Sequence, residues 1–317
     1  MKNTQFHDIE FQYSRELVPL LHRSALMLCV CSQNDRRLLS LTPAAEQIDG
    51  ELCTLPRPAL LAVSGNTAAV AVESQIQLFR RDALPWCDRP RERAWWWLFP
   101  DRSRFLGPLR PADMHITPSD IWLQSQADGS VLQLPLTASI QPAWSPQDCP
   151  DLNGNQWQGC GIALDDSKPA YAAVSRLRSQ TPACQLVDLV TNRTLSTTAR
   201  QFHSPRLHLH ELWLLDAGSP GIFSVNRQSG ATAVHHALPD TPTAVTFHGT
   251  LAFVASHSIS PDTQQSVPAV TVLDLRTGAV CGHLKFLRGL SHIDSLALIP
   301  ESSLATVTSG GVRAAWA

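Results

Sequence analysis

Lysine is almost missing from this chain: only Lys2, Lys168 and Lys285 occur in 317 residues. Schiff-base chemistry and lysine-based phosphate binding therefore have few candidate residues. No G-x-G-x-x-G follows a strand-like run, no G-x-x-x-x-G-K-[ST] is present, and no EF-hand loop can be found. The eight cysteines are scattered and form no C-x-x-C pair, which removes the usual zinc and redox spacings. Buried free thiols of a cytoplasmic protein are the expectation. No run approaches the roughly 18 uncharged apolar residues of a membrane helix. The first 31 residues carry early acids and no apolar core with a cleavage site, so a secretory signal is not expected. Charge is scarce too, at 16% with a net of −2, which gives no global attraction to nucleic acid or an anionic membrane.

What the chain does have is apolar residues, 44%, together with 23 prolines and 16 glycines. That composition suits many short apolar segments separated by turns. One unit recurs. Its clearest copy is HLHELWLLDAG at 208–218, then GIFSVN at 221–226 and GATAV at 230–234. A second runs AVTFHGTLAFVA at 244–255 and AVTVLDLRTGAV at 269–280, with Asp274 to Gly278 reading as a hairpin turn. Asn226 to Gly230 is the equivalent turn one unit earlier. Weaker copies lie at 59–79, 116–136 and 161–195, with a partial one at 293–309. A period of roughly 40–55 residues is that of propeller blades. The N-terminal strand-like runs at 25–31 and 37–41 complete the partial last unit.

The expected fold is all-β: one β-propeller over residues 1–317, six-bladed, closed by pairing N- and C-terminal strands so that no sheet edge is left open. A short helix is expected at about 14–22 with Ser14 as its N-cap. Residues 84–111 are too rich in proline for a blade strand and read as a long connection on one face.

The segment Phe202-His203-Ser204-Pro205-Arg206, followed by Leu212-Trp213-Leu214-Leu215-Asp216-Ala217-Gly218, resembles the H-S-P-R…L-W-x-L-D-S-G signature of an uncharacterised bacterial family with a domain of unknown function. Phe247-His248-Gly249 with Ala252-Phe253-Val254, Val272 to Gly278, and Asp294 before Pro300 are similar to further segments of it. The resemblance spans most of the chain and is sharpest after residue 200. It implies a propeller-like fold and no established activity. Ala112-Asp113-Met114-His115 keeps at most one member of the family's H-D diad, and no histidine stands at 159–163, where the family has H-L-N-G-L-A.

Ligands of propellers sit where inner strands converge, so residues at blade starts are the candidates. His115, His203, His248 and Asp294 come from different units and have the donor types of a divalent-metal site able to activate water. Arg206 offers a guanidinium fork for a carboxylate or phosphate, or for an internal aspartate such as Asp216. Pro205 is expected to hold Ser204 extended, and without a G-x-S-x-G elbow Ser204 is not expected to be a nucleophile. His208 and His210 are spaced to share one strand face. Residues 80–110 carry eight arginines against four acids, and Arg91 and Arg93 stand beside Trp95, Trp96 and Trp97, an interface composition.

Two functions follow as expectations. The first is a non-catalytic binding propeller without a cofactor. It would take a small anion or peptide at the channel mouth through His203, Ser204, Arg206, His248, Asp294 and His115, and a protein partner through the Arg/Trp segment. The second is a metal-dependent hydrolase using His115, His203, His248 and Asp294.

Overall fold

In the computed structural model, which describes residues 1–81, 98–152, 156–176, 184–195, 201–259 and 266–300, the apolar runs pair as antiparallel strands. A hairpin of β1 (Lys2–Phe6) and β2 (Ile9–Tyr13) leads into α1 (Leu17–Ser24). Then come β3 (Leu26–Ser32), β4 (Arg37–Ala44) and β5 (Gln47–Thr54). Four sets of four follow. They are β6 (Pro58–Ser64), β7 (Thr67–Val72), β8 (Gln75–Arg81) and β9 (Leu98–Phe105), and β10 (Pro111–Ile116), β11 (Asp120–Ser125), β12 (Val131–Pro135) and β13 (Gln141–Trp144). Next are β14 (Trp157–Asp165), β15 (Lys168–Arg176), β16 (Cys184–Asp188) and β17 (Arg193–Leu195), and β18 (Phe202–His208), β19 (Glu211–Asp216), β20 (Gly221–Val225) and β21 (Thr232–Ala237). The last are β22 (Thr241–His248), β23 (Leu251–Ile259), β24 (Ser266–Asp274) and β25 (Val280–Arg288), with β26 (Ser295–Pro300) at the end.

These strands make six small sheets arranged as a six-bladed β-propeller. Blade 1 is β26-β3-β4-β5, so a C-terminal strand supplies the innermost position of an otherwise N-terminal sheet. Six residue pairs, from Ser295↔Cys31 to Pro300↔Leu26, zip this closure. Blades 2 to 5 are the four consecutive sets, and blade 6 is β22 to β25.

The hydrophobic clusters explain why a ring forms. Among the described residues there are six, and each lies between two neighbouring blades. A blade is therefore apolar on both faces: all seven residues of β3 are buried, as are all five of β20. A sheet of this kind is stable only with a partner on each side, and closure into a ring provides one for every face. Alanines such as Ala69 and Ala71 in β7 or Ala172 and Ala173 in β15 allow adjacent blades to come close.

The turns agree with the repeat. In blade 6, Gly278 (φ 71°) donates its N–H to the Asp274 carbonyl at 2.7 Å; in blade 5, Gly230 (φ 74°) does the same to Asn226 at 2.8 Å. Both glycines occupy the left-handed position that side chains disfavour. The turns joining the two innermost strands at one end of the ring are short: Asp166-Ser167 and Leu209-His210 have positive φ at both residues. The inner strands begin at the opposite end, where the chain crosses from one blade to the next.

Four features differ from expectation. The hairpin β1-β2 adds to the outer edge of β25 and widens blade 6 to six strands. Phe11 packs there on Phe286 with ring centroids 6.0 Å apart. Glu16, not Ser14, stands at the N-cap position of the helix and makes no side-chain cap bond, while the Ser14 hydroxyl accepts the His283 N–H at 3.2 Å. Within 84–111, residues 98–105 form β9; an outermost strand has one edge in solvent, so it tolerates Pro100 and the charges of Asp101 and Arg102. His210 lies in a turn and not on β18, which ends at His208, so the two histidines share no strand face. The segment carrying Arg91, Arg93, Trp95, Trp96 and Trp97 lies outside the described residues.

Candidate functional site

Three neighbouring inner strands, β10, β14 and β18, each carry a register shift near their start: between Pro111 and Asp113, Gly159 and Gly161, and His203 and Arg206. A bulge re-aims the side chains that follow it. Here it brings Asp113, His115, His203, Ser204 and Arg206 together around β14.

Asp113 is the centre. Arg206 Nη1 donates to Asp113 Oδ2 at 2.6 Å and Nη2 donates to Oδ1 at 2.9 Å, a two-point fork. The side chains keep 21% and 7% exposure for Arg206 and Asp113, so the pair is nearly dry. Oδ2 also accepts the Ile162 N–H at 3.0 Å, and Oδ1 accepts the Met114 N–H at 2.9 Å. His115 Nε2 stands 3.6 Å from Oδ2 and donates to the Ile162 carbonyl at 2.9 Å. Burial pushes the Asp113 pKa up, but the Arg206 charge, the neighbouring His115 and the Arg206 hydrogen bonds outweigh it and hold the carboxyl well below the usual range. Arg206 thus ties blade 5 to blade 3 across blade 4. Its partner is Asp113, not Asp216, whose Oδ1 caps its own turn by accepting from Gly218 and Ser219. The fork that the sequence offers to an external anion is filled from within.

Gln124, fully buried on β11, reinforces the same joint. Its Oε1 accepts the Gly161 N–H at 2.5 Å and its Nε2 donates to the Ala173 carbonyl at 3.0 Å. Gly161 has φ 132°, and a Cβ there would stand 2.6 Å from Pro205 Cδ and 3.0 Å from Ser204 Cα. Only glycine lets β14 meet the Ser204-Pro205 step this closely. That step is not extended: Ser204 has φ 51°, because the bulge and the contact with Gly161 override the proline's local preference.

His203 Nε2 donates to the Pro242 carbonyl at 3.2 Å, and its Nδ1 accepts the Ser204 hydroxyl at 2.9 Å. Burial lowers the His203 pKa, opposed by the Pro242 carbonyl and aided by the Arg206 charge. A depressed histidine contributes stability that is complete above its unfolded pKa of about 6.5 and is lost as pH falls through the folded value. Unfolding free energy is therefore expected to decline as pH drops from about 6.5, and His203→Gln is expected to flatten part of that slope in urea titrations at pH 5 to 8. An unchanged slope would remove His203 from the titrating set.

The four residues suggested as metal donors do not converge. His203 and Asp294 lie near the start of β22: His203 bonds Pro242, and the Ile293 carbonyl accepts the Thr243 hydroxyl at 2.8 Å. His248 closes the other end of β22, seven strand steps or about 23 Å from Thr241. Asp294 is held by the Gln33 N–H at 2.8 Å, and His115 sits in the Asp113 cluster. Among the described residues, no group of three or more His, Cys, Asp or Glu stands close enough to hold a metal ion. Asp113 and Gln124 were not singled out by sequence. The one available signal was the A-D-M-H stretch at a blade start.

A family defined as a domain of unknown function, DUF4915, matches residues 15–308. The chain belongs to that family. The DUF4915 match takes in α1 and every strand from β3 to β26, so the β1-β2 hairpin on blade 6 lies outside it. No curated protein matches the sequence. Among solved structures, a chain of a nidogen/laminin complex is similar at a TM-score of 0.60 with 11% identity, covering 87% of this chain and 99% of that one. A protein of unknown function from Bacteroides caccae aligns at 0.55 with 8% identity over 87% and 99%. TolB from Acinetobacter baumannii aligns at 0.52 with 10% identity over 87% and 66%. At such identities this DUF4915 chain shares their fold and nothing finer. No helix among its described residues is long and apolar enough to cross a membrane.

Proposed function

We propose that the protein is a ligand-binding propeller that takes a small carboxylate on the face where its inner strands begin. The observation that carries this is a cavity of about 600 Å³ between blades 2, 3 and 4 on that face. Its wall joins apolar Leu106, Pro108 and Leu109 to Arg110, Gln126 and Gln158. Arg110 is exposed and makes no ion pair among the described residues, whereas Arg206 is committed to Asp113. A guanidinium beside an apolar wall suits a carboxylate with a short aliphatic tail. The test uses hexanoate as probe. Calorimetry is expected to show binding to the intact protein, and Arg110→Ala is expected to weaken it about tenfold, near 1.4 kcal/mol. No heat with the intact protein, or equal affinity in the variant, would overturn the reading.

A further inference from the structure

The bulge in β18 does more than seat the Asp113–Arg206 pair. It turns Ser204 back so that two consecutive residues, which on a regular strand would point to opposite faces, meet side chain to side chain. The Ser204 hydroxyl donates to His203 Nδ1 at 2.9 Å, and the far nitrogen of the same ring donates to the Pro242 carbonyl at 3.2 Å. Those two bonds fix the tautomer: Nε2 carries the proton and Nδ1 presents a lone pair to the hydroxyl. A hydroxyl on a base that a third group orients is the arrangement of an activated serine nucleophile. Two independent features agree. Ser204 has φ 51° ahead of a proline, backbone strain of the kind stored at reactive positions. Both residues are largely buried but keep some solvent exposure.

We propose that Ser204, with His203 as its base, is a nucleophile toward activated acyl groups such as aryl esters and thioesters. The missing G-x-S-x-G elbow is no obstacle, because a β-bulge supplies the sharp turn that the elbow provides elsewhere. As the Ser204 oxygen attacks the acyl carbon, its proton passes to His203 Nδ1 and the carbonyl π pair moves onto oxygen. Collapse expels the alkoxide or thiolate, which leaves with the proton from Nδ1. Water, deprotonated by the same nitrogen, then releases the acid and restores the serine. Burial keeps His203 neutral at pH 7, the state a base requires.

The test goes beyond the carboxylate reading and does not depend on Arg110, since the label reports on Ser204 alone. The intact protein is incubated with a fluorophosphonate probe and digested for mass spectrometry, and release of p-nitrophenol from p-nitrophenyl acetate is followed in parallel. Stoichiometric modification of the Ser204 peptide is expected. It should vanish in Ser204→Ala and in Ser204→Gly, the second chosen because glycine accepts the positive φ if alanine unfolds the site. His203→Gln should slow labelling about 100-fold or more and abolish the rise with pH that accompanies loss of the His203 proton. A folded protein that takes no label, label on another residue, or labelling of unchanged rate and pH profile in His203→Gln would each overturn the proposal.

Discussion

Replacing Asp113 by alanine while Arg206 remains is expected to cost about 3–5 kcal/mol of folding stability, because it strands a guanidinium in a nearly dry joint between blades. Arg206→Ala is expected to cost a similar amount for the converse reason: the Asp113 carboxylate would keep its two backbone donors but lose its counter-charge. Urea unfolding monitored by tryptophan fluorescence measures both. The pH dependence has a definite sign. Asp113 is depressed, so the stability it supplies is present above the unfolded value of about 3.9 and disappears as pH falls below it. The intact protein should therefore lose stability steeply below about pH 4, and Asp113→Ala should lose less over the same interval. Joint replacement by Asp113→Leu and Arg206→Met is expected to regain much of the loss, since an apolar pair of similar volume avoids desolvating two charges.

Gly161→Ala carries the next largest expected effect. The added Cβ would meet Pro205 and Ser204 at 2.6 and 3.0 Å, and the groups it meets are backbone and a proline ring, which cannot swing away. Backbone strain of about 1–3 kcal/mol at φ 132° adds to overpacking of about 1–3 kcal/mol. A loss of roughly 2–6 kcal/mol is expected in the same assay. Alanine at Gly249 is the control: it also has positive φ, but a Cβ there meets nothing within 4 Å, so only about 1 kcal/mol should be lost. Equal losses at the two positions would show that close approach to Ser204-Pro205 is not what Gly161 provides.

The ring was legible in sequence because its cause is local and repeated. Apolar runs bounded by Asp274 to Gly278 and Asn226 to Gly230 recur at blade spacing, and the partial unit at the C-terminus needs the strands at 26–32 and 37–44. Two elements fall outside that repeat. β9 is an outer strand with one edge in water, so it keeps a proline and charges, and the β1-β2 hairpin adds to a blade already complete. The site was half legible. H-S-P-R marks the right place, but its arginine binds a partner 93 residues away, and no spacing rule reaches that far. Asp113 looked like a relic of a lost diad because its value lies in what β18 brings to it. The four-residue metal set failed for a related reason. Residues from different blades can share an axis and still stand at opposite ends of it, as His248 and Asp294 do.

A double-mutant cycle on Asp113 and Arg206 tests the central claim most directly, namely that the H-S-P-R bulge locks three blades through one buried charge pair. With Asp113→Ala, Arg206→Ala and the combined variant, the double mutant should be little worse than either single one, giving a coupling of at least about 1.5 kcal/mol. If the two losses simply add, the carboxylate and the guanidinium do not support each other, and the lock as described does not exist.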